Sequence, residues 1–224
     1  MTTFSDYFRI WRWRGVIRLL DEIRENLWFD LRFGIDTQTI FSSDMTQIGD
    51  ENAEQIIPYA PSYEAPVRKF LDRLAIYITG RDFSFFDIGC GKGKVLILAA
   101  QSGLFKKIYG IEVVPGLAQI ADQNIRKMGF SDQIDVLLTN AITFESYSKR
   151  SVLFLYNPLN ENMFLELLRI LERTSLQEAY LVYFDPRFGR LLNLWLEVYT
   201  SGWRDDQGRT LKIFYRNFDD TTSS

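Results

Sequence analysis

Five short apolar runs, each closed by a turn signal, restrict the folds open to this chain more than any other feature. They read FSFFDI (83–88), KIYGIEVV (107–114), QIDVLLTN (133–140), SVLFLYNP (151–158) and EAYLVYFDP (178–186). Helix-like stretches separate them, at 93–102 ending on Gly103, at 116–129 closing on a second glycine, and at 162–174. In the last of these Phe164, Leu167, Leu168 and Leu171 share one face. Short apolar strands alternating with helices pair in parallel and need cover on both faces, so the expected class is an α/β three-layer sandwich. The stretch LLNLWLEVYTSGWRDDQGRTLKIFYRNF reads differently, as a short helix and a terminal hairpin. An antiparallel pair therefore closes an otherwise parallel sheet.

Between the first strand and its helix the chain reads FFDIGCGKGKVLILAA (85–100), with glycines at 89, 91 and 93. Glycines crowded there let the backbone approach a ligand closely. A nucleotide P-loop needs a glycine five residues before its Gly-Lys and a Ser or Thr after it. Gly93-Lys94 has Ile88 and Val95 at those places, and Gly91-Lys92 fails too. The dinucleotide pattern fits Gly89 and Gly91 but meets Lys94 where its third glycine belongs. What remains is D-x-G-x-G-x-G, from Asp87 to Gly93. A second acid, Glu112, closes the next strand, and a carboxylate there can accept both hydroxyls of a ribose.

With these residues the chain resembles the class I, seven-strand S-adenosylmethionine-dependent methyltransferases, over roughly residues 63–217. The resemblance rests on DIGCGKG, the acid in GIEVV, TNA after the third strand, and the terminal hairpin. It implies a sheet of order 3-2-1-4-5-7-6 with the last strand antiparallel. It also implies that Gly89, Gly91 and Gly93 pack under the methionyl and ribose parts of S-adenosyl-L-methionine. Glu112 would bind the ribose hydroxyls, Asn140 and Ala141 would flank adenine, and Asp87 would organise the loop by hydrogen bonds. Cys90 belongs to the same cofactor-binding turn, where it fills space rather than serving as a catalytic thiol.

The fourth strand runs into FLYNPLNENMF (154–164), where this superfamily places acceptor contacts. Its amino-group methyltransferases carry an Asn/Asp-Pro-Pro-aromatic tetrad there. Here Asn157-Pro158 is followed by Leu159 and Asn160, which weakens nucleobase or glutamine-amide methylation. IIPYAPSYEAPVRKFLDRL (56–74) and LFLYNPLNENMFLELLRIL (153–171) instead resemble the lid and the fourth strand of seven-strand, non-SET protein-lysine methyltransferases. RFGIDT (32–37) is similar to a bacterial group of such proteins. The resemblance implies an acceptor pocket lined by Tyr63, Glu64, Tyr156 and Asn157, where a buried amine loses its charge and can attack a sulfonium methyl group.

Composition narrows the alternatives. The chain has 224 residues and no histidine, which removes the commonest general base and zinc ligand together, so no metal is expected. Asp205-Asp206 reads as a Mg²⁺ pair or as an acidic hairpin tip. The 26 basic and 29 acidic residues give a net charge of −3, which argues against a nucleic-acid coat. One cysteine suits a reducing compartment, and neither a membrane span nor a secretory signal is visible, so the expected place is the cytoplasm.

The expected division is an N-terminal helix and acidic lid segment (1–62), a methyltransferase domain (63–217) and a polar tail (218–224). The helix covers 7–31, with Ile10, Trp13, Ile17, Leu20, Leu27 and Leu31 near one stripe. Its Arg- and Trp-bearing first half suits packing on the core, or a partner or dimer contact. The six acids at 33–67 suit either a basic protein segment or a solvated loop. Three functions follow: N-methylation of an amine such as a protein lysine, methylation of N or O in a small molecule, or cofactor binding without turnover.

Overall fold

The computed structural model describes residues 28–38, 61–202 and 209–219. Most of the expected N-terminal helix, the acidic stretch 39–60, the pair Asp205-Asp206 and the end of the tail lie outside them.

Seven strands form one sheet: β1 (Ser84–Ile88), β2 (Ile108–Glu112), β3 (Ile134–Leu138), β4 (Arg150–Leu155), β5 (Glu178–Phe184), β6 (Leu196–Thr200) and β7 (Leu211–Asn217). Their order is β3-β2-β1-β4-β5-β7-β6. The first five pair in parallel, and β7 runs antiparallel to β5 and to β6. This is the arrangement that the resemblance implies.

Strand periodicity splits the core in two. Phe85, Val152, Phe154, Val182 and Ile213 point to one face, and Phe86, Ile88, Leu153, Leu155, Leu181 and Phe214 to the other. The first face is covered by α1 (Trp28–Phe33), α2 (Glu64–Ile78), α3 (Lys94–Gln101) and part of α4 (Pro115–Lys127). The second is covered by α5 (Glu161–Arg173), which buries Phe164, Leu167, Ile170 and Leu171. Asn160 starts α5 by accepting from Met163 N at 3.0 Å, the bond that a helix-initiating Asn supplies.

Leu31, expected near the apolar stripe of the first helix, is exposed instead, and Phe29 is the residue of α1 that enters the core. The helical phase is set here by the Phe29 ring, which meets Phe33 edge-on at 5.1 Å and lies under the Lys94 ammonium. Beyond α1 the chain doubles back: Ile35 N donates to Asp30 O, and Thr37 donates to the Asp30 carboxylate through N (2.7 Å) and Oγ1 (2.6 Å). Among the described residues no helix is long and apolar enough to cross a membrane.

Candidate active site

Strand order reverses at β1, whose neighbours are β2 and β4, and a crevice opens at the carboxyl end of such a sheet. Register brings four strand ends to one level: Ile88 pairs with Ile111 and Leu155, and Leu155 with Tyr183. The glycine turn, Glu112, Asn157 and Asp185 each follow directly from those ends.

The turn after β1 holds Gly89, Gly91 and Gly93 at φ of 73°, 54° and 81°, values that favour glycine. Gly89 N and Cys90 N both donate to Ile111 O, which ends the ladder and lifts the chain away from the sheet. A Cβ on Gly89 would stand 2.6 Å from Pro158 Cβ. The Asn157-Pro158 loop is thus seated directly on the glycine turn.

Glu112 turns back onto that loop. Its Oε2 accepts from Gly91 N at 2.8 Å, and Oε1 accepts from Val113 N and Val114 N at 2.9 Å. Burial raises its pKa, and these three bonds oppose the rise. Asp87 is buried too, and its pKa is pushed well above the ordinary carboxylate range by desolvation and then by the charge of Glu112. The loop is therefore organised from Glu112, whereas no described donor binds the Asp87 side chain. Two buried acids side by side suit a ligand that brings positive charge and hydroxyl donors.

Cys90 fills the room left by Gly110, whose Cβ would lie 2.7 Å from the Cys90 Sγ. Burial raises its thiol pKa well above the usual value, so it is no nucleophile at neutral pH. Asn140 makes a local turn, its Oδ1 accepting from Ile142 N at 3.1 Å, and Ala141 is buried behind it.

Of the expected acceptor residues, Asn157 is the one the structure defines best. It is 7% exposed and adopts a left-handed φ of 46°. Its Nδ2 donates to Asp185 O at 2.7 Å and to Asp185 Oδ2 at 2.9 Å. Its Oδ1 is buried with no hydrogen-bond partner among the described residues. Tyr156 packs its ring 4.4 Å from that of Phe184, and the Arg209 guanidinium lies 5.6 Å from the centre of the Tyr156 ring. Tyr63 caps the start of α2 in an extended conformation. Glu64 pairs with Arg68 at 2.7 Å, and Arg68 reaches Gln101 at 2.9 Å.

Sequence reasoning missed two groups. Asp185 follows β5 as Asn157 follows β4, and the repeated aromatic-Asx-Pro triplets YNP and FDP were the available signal. The other group ties RFGIDT to the glycine turn. Lys92 Nζ, buried in that turn, pairs with Asp36 Oδ2 at 2.9 Å. Asn124 of α4 donates to Asp36 O (2.8 Å) and Lys92 O (3.0 Å) and accepts from Asp36 N (3.1 Å). Lys127 Nζ donates to Gly34 O.

No family model matches the chain. It is 30% identical over 106 residues to a protein-lysine N-methyltransferase of Saccharolobus islandicus, a match covering 47% of this chain and 64% of that protein. The chain thus spans less than two thirds of that relative's length. An RNA methyltransferase of Salinibacter ruber, solved with S-adenosyl-L-homocysteine, aligns with a TM-score of 0.50 at 22% identity, over 72% of this chain and 94% of that one. The N-methyltransferase NodS of Bradyrhizobium japonicum aligns with a TM-score of 0.53 at 20% identity, over 69% and 96%. The fold is the Rossmann-like fold of the class I S-adenosylmethionine-dependent methyltransferases, with its seven strands in the expected order.

Proposed function

We propose that this chain is an S-adenosylmethionine-dependent methyltransferase whose acceptor is an amine, with protein lysine the favoured class. The observation that carries the acceptor chemistry is the buried Asn157 Oδ1, left without a partner on a loop seated against the glycine turn. A buried acceptor without a donor costs about 1–3 kcal/mol, and an N–H from a bound substrate removes that cost. The turn itself suits the cofactor: left-handed backbone at three glycines makes it tight enough for a ligand to lie against main chain, and Glu112 and Asp87 complement hydroxyl and cationic groups.

Held by the glycine turn, Glu112 and Asp87, S-adenosylmethionine would supply an electrophilic methyl group, taken by the amine lone pair as the C–S pair is left on sulfur. The methylated ammonium then gives a proton to solvent. The chain must bind the amine neutral and in line, because positioning supplies most of the acceleration in such a displacement. Burial beside Asn157 favours the neutral form, so no histidine is needed. Tyr63 and Tyr156 are proposed to line the entrance. The similarity to the Saccharolobus lysine enzyme supports lysine over other amines.

The test is to incubate the protein with methyl-labelled S-adenosylmethionine and a cell extract, then hydrolyse the extract's proteins. Label in methyl-lysine is the expected result. Label confined to the small-molecule fraction would transfer the assignment to a small-molecule acceptor, and no label with no cofactor binding by calorimetry would overturn the reading.

A further inference from the structure

We propose that Asp185 is a positioning residue of the acceptor site, holding the Asn157 amide so that its carbonyl oxygen is the one presented to the amine. The proposal rests on the reading of Asn157 given above. Asn157 and Asp185 lie two residues beyond a register pair, Leu155 and Tyr183, of the adjacent strands β4 and β5. Both are left-handed, at φ of 46° and 52°, and both precede a proline. Proline narrows the conformations of the residue before it, and left-handed backbone is uncommon outside glycine, although Asn and Asp tolerate it best. Two such residues facing each other across strand ends persist only where their surroundings hold them.

The holding contacts are explicit. Both bonds from Asn157 Nδ2 end on Asp185, one on the carbonyl and one on the carboxylate. An amide whose nitrogen is fixed in this way cannot flip, so its oxygen is fixed as well. Asp185 is itself fixed: its N donates to Thr210 O at 2.7 Å, and Arg187 donates to it through N (2.7 Å to the carbonyl) and Nε (3.0 Å to Oδ2). A loop closure needing only structure would leave no buried oxygen unmatched, yet Asn157 Oδ1 is unmatched among the described residues. The carboxylate adds a second effect. The acceptor nitrogen becomes positive as the N–C bond forms, and a negative charge one amide away strengthens the Oδ1 contact at that moment. Asp185 therefore acts on the transfer step through Asn157 and has no part in holding the cofactor.

Three substitutions separate these roles. Asp185→Asn keeps the backbone preference and an acceptor oxygen but removes the charge. Asp185→Gly relieves the left-handed backbone and removes the carboxylate while the carbonyl remains. Asn157→Ala removes the amide that Asp185 acts on. With labelled S-adenosylmethionine and poly-L-lysine as the acceptor probe, Asp185→Gly is expected to lower the single-turnover rate about tenfold, the scale of one hydrogen bond to a charged group. Asp185→Asn should recover part of that loss, and cofactor affinity should change less than about twofold in both. In an Asn157→Ala background Asp185→Gly should cost nothing further, since the two residues act as one unit. Additive losses, or affinity and rate falling together, would overturn the proposal. A second readout needs no turnover: hydrogen exchange of the Asn157 side-chain amide, assigned by its loss in Asn157→Ala. Faster exchange in Asp185→Gly supports the positioning contact even if wild type fails to label poly-L-lysine, in which case only the functional reading is in trouble. Unchanged exchange sinks the positioning role alone, whatever the wild type labels.

Discussion

Substituting Gly89 by alanine tests the seat on which the proposed chemistry depends. Two costs add at this position. Its φ of 73° is left-handed, which costs an alanine about 1–2 kcal/mol. The new Cβ would also stand 2.6 Å from Pro158 Cβ, well inside the 3.4–4 Å of ordinary contact. A proline ring cannot rotate aside, so the loop must move as a unit. That motion strains the bonds from Asn157 to Asp185 at 2.7 and 2.9 Å, each contributing about 0.5–1.5 kcal/mol. The expected destabilisation is about 2–4 kcal/mol. Gly103→Ala is the matched control, because Gly103 has a φ of 69° with nothing within 4 Å of a new Cβ. It should show the backbone cost alone. Urea denaturation of both variants gives the difference from the midpoints, provided the slopes agree. If Gly89→Ala is no less stable than Gly103→Ala, Pro158 does not rest on the glycine turn in solution, and the alignment of acceptor loop and cofactor loop fails with it.

Glu112→Gln should weaken cofactor affinity about ten- to a hundredfold by calorimetry, because an amide nitrogen must then face one of the N–H groups of Gly91, Val113 and Val114; unchanged affinity would remove Glu112 from the cofactor site. Asp87 gives a pH prediction whose sign follows from its raised native pKa. The native state holds that proton more tightly than the unfolded chain, so stability of the ligand-free protein should fall as pH rises from near the ordinary value of 3.8 through the higher native pKa. Asp87→Asn should reduce that slope and exceed wild type in stability at neutral pH while binding cofactor less well, and an unchanged slope in denaturation at several pH values would refute it. Asp36→Ala should cost about 1.5–3 kcal/mol of stability through the lost bond to Lys92, with Asp36→Asn recovering part; a variant as stable as wild type would show that RFGIDT does not brace the turn.

Strand positions were legible because they depend on local pattern, whereas the sheet order came only with the resemblance to the seven-strand methyltransferases. FSFFDI, KIYGIEVV and their successors carry period and length together, and parallel pairing follows from the helices between them. The glycine turn was legible for the same reason, since three glycines in five residues name a backbone conformation without help from distant residues. Roles that depend on a partner were not. Asp87 and Glu112 look alike in sequence, and only the path of the chain after β2 decides that Glu112 takes the Gly91, Val113 and Val114 amides. Glu64 gains a partner from its own helix, because Arg68 lies one turn further on and binds it. Lys92 and Asp36 are 56 residues apart, and no periodicity reports a pair at that distance.

The two buried acids give the site its own coupling between stability and function. Asp87 and Glu112 are both desolvated, and the charge of Glu112 adds to the cost of charging Asp87, while Glu112 itself is partly compensated by three amides. A fold selected for stability alone would replace Asp87 with a neutral residue. Keeping it makes sense if a positively charged ligand occupies the site, because that charge restores what desolvation removes. Affinity then comes partly from relieving a strain that the empty protein carries. This links the cofactor half of the site to the acceptor half. The cofactor loop is braced from outside by Asp36 and Lys92, and the acceptor loop rests on it through Pro158 and Gly89. On the proposed assignment, ordering the first loop steadies the second and places the amide oxygen of Asn157 for an amine once the cofactor is bound. Cofactor binding before acceptor binding is the kinetic order that this arrangement favours; a dead-end acceptor analogue should then inhibit uncompetitively against the cofactor, and mixed inhibition against it would indicate random addition.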